Sequence, residues 1–124
     1  MLSRRFAMLL GLFLLVEGIW GLFSPVVFGV LSTNWLHAAI EIVLGIGGLL
    51  AGRGAHARVY LKSVGTLLLV VGILFFVPGL SEFVISLLNV NIYVACFNII
   101  VGLLSIIIGL TGSSPEVVVV EPPR

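Results

Sequence analysis

The chain has 124 residues, 60% of them hydrophobic and 9% charged, with a formal net charge of +1. Soluble domains carry about a quarter charged residues, and a chain this short leaves much of its area in water. Its apolar surface therefore suits lipid, which accepts hydrocarbon on every side of a helix. Six basic residues scattered over the ends and one loop exclude a nucleic-acid footprint, and a single cysteine, Cys96, excludes an internal disulfide and a cysteine-based zinc site.

The N-terminal stretch MLSRRFAMLLGLFLLVEGIWGLF opens like a signal peptide, with Arg4 and Arg5 ahead of an apolar run. Glu17 interrupts that run and no small-x-small cleavage site follows, so it reads as a retained helix. Hydropathy predicts a first span over about residues 5–23, ended by Ser24 and Pro25 because proline cannot continue the helical ladder. Residues 26–31 are apolar but too few to cross, which suits the membrane interface. A second span covers about 34–51, with Asn34 placed to cap its start. The loop GRGAHAR is polar and tight. A third span covers about 59–77, closed by Pro78 and Gly79. Residues 80–89 read as a short amphipathic interfacial segment. A fourth span covers about 91–110, opened by Asn91. Residues 113–124 form a proline-flanked tail too short to pack, expected to be a disordered cytoplasmic segment.

The expected fold is an all-α membrane protein: a four-transmembrane-helix bundle, one domain over residues 1–112, made of two repeated helical hairpins. Arg4 and Arg5 precede the first span, and Arg53, Arg58 and Lys62 surround the middle loop. The positive-inside rule then places both termini and that loop in the cytoplasm, in a plasma (inner) membrane. Trp20, Trp35 and Tyr93 fall near the outer face, where amphipathic rings favour the headgroup level. Lys62 is placed to extend its charge to the inner headgroups.

The repeat is visible in spacing. Asn34, Glu41 and Gly45 in the second span match Asn91, Asn98 and Gly102 in the fourth. Each span carries a glycine pair seven residues apart: Gly11/Gly18, Gly45/Gly52, Gly65/Gly72 and Gly102/Gly109. Seven residues are two turns, so each pair lies on one face and lets a neighbouring helix approach closely. Such faces suit packing seams within the chain, self-association into a homo-oligomer, or a membrane-protein partner. The two halves share one orientation, which makes the duplication parallel.

These motifs carry a family resemblance. The spacing of Asn34, Glu41 and Gly45, met again at Asn91, Asn98 and Gly102, resembles the pattern N-x2-[H/D]-N-x2-H-x3-G that occurs twice in the bacterial membrane family called domain of unknown function 4383. VEGIWGLFSP, GRGAHARVYLKSVG and LLNVNIYVACFNIIVG agree with it, and the resemblance spans about residues 4–112. By position, Asn34, His37, Glu41 and Gly45 match the first copy, and Asn91, Asn98 and Gly102 the second. Glu41 and Asn98 stand where the family usually has histidine, and Ala38 and Ala95 where it often has asparagine. The resemblance implies a membrane fold and no established activity. A weaker likeness, in the arginine-led first helix and glycine-rich spans, is to DoxX-like proteins; it implies a quinone- or lipid-binding redox accessory role.

Ionisable groups in a bilayer are costly and ask for a reason. Glu17 lies roughly 18 Å inward from Arg5, and Glu41 roughly 10 Å from Asn34, at about 1.5 Å per residue. In a core of about 30 Å both sit in the outer half, level with Asn98. His37 is one turn from Glu41 and can face it. The expected polar intramembrane cluster is therefore Glu17, His37, Glu41 and Asn98, and Val71 stands where Glu17 would be in the second half. The cluster can fix helix register by hydrogen bonding, or hold and relay protons, or bind an ion or polar solute. No metal site is expected: His37 and Glu41 lack a second histidine, and His56 lies at the opposite end. Cys96 is expected to be a small buried apolar residue. P-loop, G-x-S-x-G and H-E-x-x-H signatures are missing from the sequence. The sequence thus points to a non-enzymatic accessory protein with no cofactor, whose partners are membrane lipids and not nucleic acid.

Overall fold

A computed structural model describes residues 2–111. The expected disordered tail, 113–124, lies outside the described residues. Within them the chain is helical apart from one small ladder: α1 Leu2–Gly21, β1 Val26–Val27, β2 Leu31–Ser32, α2 Trp35–Arg53, α3 Ala57–Leu74, α4 Ser81–Leu88 and α5 Ile92–Thr111. Three helices, α2, α3 and α5, are long and apolar enough to cross a membrane. The fourth long helix, α1, has 20 residues but also carries Arg4, Arg5 and Glu17.

Local chemistry sets several boundaries. The Asn34 side chain accepts a hydrogen bond from the His37 amide at 2.9 Å, and Asn91 does the same for Val94 at 2.9 Å. Each satisfies an amide that the first helical turn leaves open. At the far end of α4, Asn89 adopts a left-handed conformation (φ 53) that stops the helix. The third long helix stops at Leu74, three residues before the expected 77. Phe76 and Val77 donate to carbonyls three residues back, a tightened turn ahead of Pro78, which disfavours helix in the residue before it. Residues 26–31, expected as a bare interfacial segment, instead begin a short antiparallel ladder with Val26 opposite Ser32. Its turn holds Phe28 at φ 54. That is an unusual angle for a bulky residue, and the ring is held between Phe13 (5.5 Å) and Trp20 (4.8 Å).

The long helices pack as two antiparallel pairs, α1 with α2 and α3 with α5. Glycine makes each seam. A Cβ on Gly11 would lie 2.7 Å from the Gly45 carbonyl oxygen, and one on Gly65 would lie 2.8 Å from that of Gly102. Gly18 meets Ala38 and Ile42; Gly72 meets Ala95 and Ile99. At such range the backbones touch directly, the contact that associates helices in lipid. The glycine faces are thus occupied inside the chain.

Arginine closes both pairs at one end. Arg4 donates to the carbonyls of Gly52 (3.0 Å) and Arg53 (2.8 Å) at the end of α2, and Arg58 donates to Gly109 (2.8 Å) and Leu110 (3.2 Å) at the end of α5. These carbonyls have no partner within their own helix, and the cation also suits the negative helix terminus. Each arginine lies seven residues before the first glycine of its helix, a spacing that could have been noticed in the sequence. The start of α1, the α2–α3 turn and the end of α5 therefore share one end, the turn end. The opposite, ladder end carries β1, β2 and α4. Two polar contacts tie the pairs together: Tyr60 Oη to the Leu44 carbonyl (2.6 Å) and Ser3 Oγ to that of Ile108 (3.4 Å).

Replacing Gly45 or Gly102 by Ala forces the partner backbone away and is expected to cost about 1–3 kcal/mol. Gly54→Ala, with nothing within 4 Å of the new methyl group, should leave stability unchanged. Unfolding in detergent micelles checks this; equal losses at positions 45 and 54 would contradict the seam.

Candidate polar site between the helical pairs

Glu17 sits on the buried stripe of α1 beside Gly18. His37 and Glu41 share the buried stripe of α2. Because Gly18 admits the α2 backbone at Ala38, the two carboxyl groups lie side by side. All four cluster residues are buried: Glu17 4%, His37 7%, Glu41 6% and Asn98 5% exposed. Glu17, Glu41 and His37 form one contiguous chain. Asn98, on α5, belongs to the other pair and reaches the group through a shared cavity with His37 and Glu41.

Hydrogen-bond directions follow from chemistry. His37 Nδ1 lies 3.0 Å from the Leu88 carbonyl. A carbonyl only accepts, so Nδ1 carries a proton. Nε2 then faces Glu41 Oε2 at 3.5 Å, a long contact. With one proton between Nε2 and Glu41 and another between the two carboxyls, no two acceptors face each other. That arrangement makes the chain of groups neutral overall, which suits surroundings where net charge is expensive. Oε1 of Glu17 and Oε1 of Glu41 remain without a partner among the described residues.

The cluster lies between two apolar layers. Toward the turn end stand Leu14, Leu61, Leu68 and Ile108; toward the ladder end stand Val27, Leu31, Val84 and Val94. Helix α4 roofs the ladder side. Its last carbonyls accept from α2 and its flank: Leu87 from Asn34 (2.9 Å), Leu88 from His37, and Asn89 from Ser32. Asn89 returns a bond to the Thr33 carbonyl at 2.7 Å, and Asn91 donates to the Val30 carbonyl at 2.8 Å. Asn34 and Asn91 thus cap their helices and also fasten the roof. Asn89 was not singled out from the sequence, although an asparagine directly after an apolar helix is a stop signal.

Cys96 corrects an expectation: it is exposed. The buried positions of α5 run Val94, Ala95, Asn98, Gly102, and Cys96 falls off that stripe, on the face turned away from the partner helices. Lys62 packs its stem against Gly109, where an added Cβ would meet its Cγ at 2.8 Å. His56 lies in the turn at the far end from the cluster. No group of three or more His, Cys, Asp or Glu side chains fit to hold a metal ion occurs among the described residues. No family model, curated protein or solved structure matches the chain.

Glu41→Leu removes the middle member and leaves Glu17 and His37 facing hydrocarbon, at an expected cost of about 1–3 kcal/mol. Glu41→Gln can donate to His37 and accept from Glu17, so its loss should stay below about 1 kcal/mol. The double variant Glu17→Leu/Glu41→Leu should lose less than the two single losses together, because both ends of one bond leave at once. Unfolding of the set in micelles measures this; strict additivity would show that the carboxyls do not interact.

Proposed function

We propose that the chain is a four-span integral protein of a bacterial plasma membrane, built as two repeated helical hairpins, and that it serves a non-enzymatic accessory role. One observation carries the reading: Glu17, His37, Glu41 and Asn98, within the long helices, turn into the bundle, while the outward faces are dominated by large hydrophobic side chains. In α1, Glu17 is buried and Arg4 and Arg5 lie at the turn end, so the charges of this helix do not oppose its crossing as the fourth span. Matching contacts support the repeat: Arg4 with Gly52 and Arg58 with Gly109, Gly11 with Gly45 and Gly65 with Gly102. The basic residues of the turn end favour the cytoplasm for that end, and the motif around Asn34 and Asn91 favours kinship with the family of domain of unknown function 4383. Self-association would need a face other than the glycine seams; the open apolar groove of about 510 Å³ between α1 and α5 is one.

Single-cysteine labelling tests the topology. In a Cys96→Ala background, Glu82→Cys should react with an impermeant maleimide on intact cells, and Gly54→Cys only after permeabilisation. The reverse pattern, or release of the protein by alkaline carbonate, would refute the arrangement.

A second reading, proton or ion handling, is favoured by the unbroken Glu17–Glu41–His37 series. It expects wild-type proteoliposomes to show a proton flux that Glu17→Gln or Glu41→Gln changes. Absence of flux in the wild type would remove it.

A further inference from the structure

We propose that the cavity beside Glu41 binds the head of a neutral single-chain amphiphile, a fatty alcohol or an undissociated fatty acid, that enters sideways from the bilayer between α2 and α3. The inference rests on the membrane-embedded reading above and adds a site and a ligand class to it.

The cavity measures about 110 Å³. Its polar wall is His37, Glu41 and Asn98; Leu67, Leu68 and Val71 of α3 face them. Asn98 is 5% exposed and lines the cavity, and beside it Glu41 Oε1 is buried without a hydrogen-bond partner among the described residues. An amide offers donors and an acceptor together, and a buried carboxyl oxygen left unmatched is costly. Its complement is a head that donates and accepts at once. A hydroxyl does so, and so does an undissociated carboxyl.

Charge narrows the class further. An anionic head would have to leave water for a buried, neutral site that offers it no cation. A cationic head would have to shed its water to arrive through hydrocarbon. A neutral head meets neither obstacle.

Size and route specify the rest. At about 30 Å³ for each water-sized group, the cavity takes a head and its first few carbons. The remainder of the chain must leave, and a way out adjoins. A groove of about 240 Å³ on the outer face of α2 is lined by Ala39, Ile40, Val43 and Leu44. Ile40 and Leu44 line the cavity as well, so only side chains part the two spaces. Ile40 is 36% and Leu67 43% exposed, on the surface that meets lipid in this reading. A water-soluble ligand finds no such path, because the apolar layers block both ends.

The experiment uses the full chain in lipid nanodiscs and a dodecanol carrying a diazirine on the carbon next to its head. Illumination should attach the probe to Ile40, Leu44 or Leu67, and plain dodecanol should compete. Asn98→Leu should weaken that competition by about tenfold, the factor given by about 1.4 kcal/mol of lost hydrogen bonding. Leu68→Phe, which fills the cavity, should abolish labelling; thermal unfolding establishes that both variants are folded. Dodecanoic acid should compete at low pH, where it is neutral, and not at high pH. A headless diazirine alkane labelling the same residues equally, or competition by the acid unchanged at high pH, would overturn the proposal. Wild-type labelling in both variants, with the protein still resistant to carbonate, would remove the pocket and leave the membrane reading standing.

Discussion

Backbone meeting backbone at glycine is the contact on which the rest of this molecule depends. In the membrane setting proposed above, the hydrophobic drive that joins helices in water is lost, and association comes from close packing and polar contact. Gly11 against Gly45 and Gly65 against Gly102 provide the packing. The polar contact follows from it. Only because α2 can approach Gly18 so nearly does Glu41 reach Glu17. A wider seam would part the two carboxyl groups.

The two seams are alike, but their polar content differs. One pair holds two carboxyls and an imidazole in sequence. The other holds Asn98, with Val71 where an acid stands in its counterpart. The asymmetry puts hydrogen-bonding groups on one side of a space and aliphatic groups on the other. That division turns a packing defect between the pairs into a place with a chemical preference.

Much of this arrangement could be read from the sequence, and the rest could not for identifiable reasons. The extents of the long helices, the caps at Asn34 and Asn91 and the nearness of His37 to Glu41 follow from local spacing. The contact of Glu17 with Glu41 needed the depth of two helices to agree, which counting residues approximates well. Bonds between distant segments left no local mark. Asn89 with Thr33, Tyr60 with Leu44, and His37 with the Leu88 carbonyl depend on how α4 folds back over the bundle. The ladder at Val26 and Leu31 was missed because two residues per strand are too few to show alternation. Cys96 was misplaced because apolar composition does not distinguish a face turned to lipid from one turned to protein.

Arg4 and Arg58 each bind the last carbonyls of their own partner helix and not those of the other pair. Each pair is thereby closed at the turn end by an arginine of its own. In the membrane arrangement proposed above, the first hairpin can lock while the second is still being made, with docking of the halves last. The space beside Glu41 comes into being only at that final step.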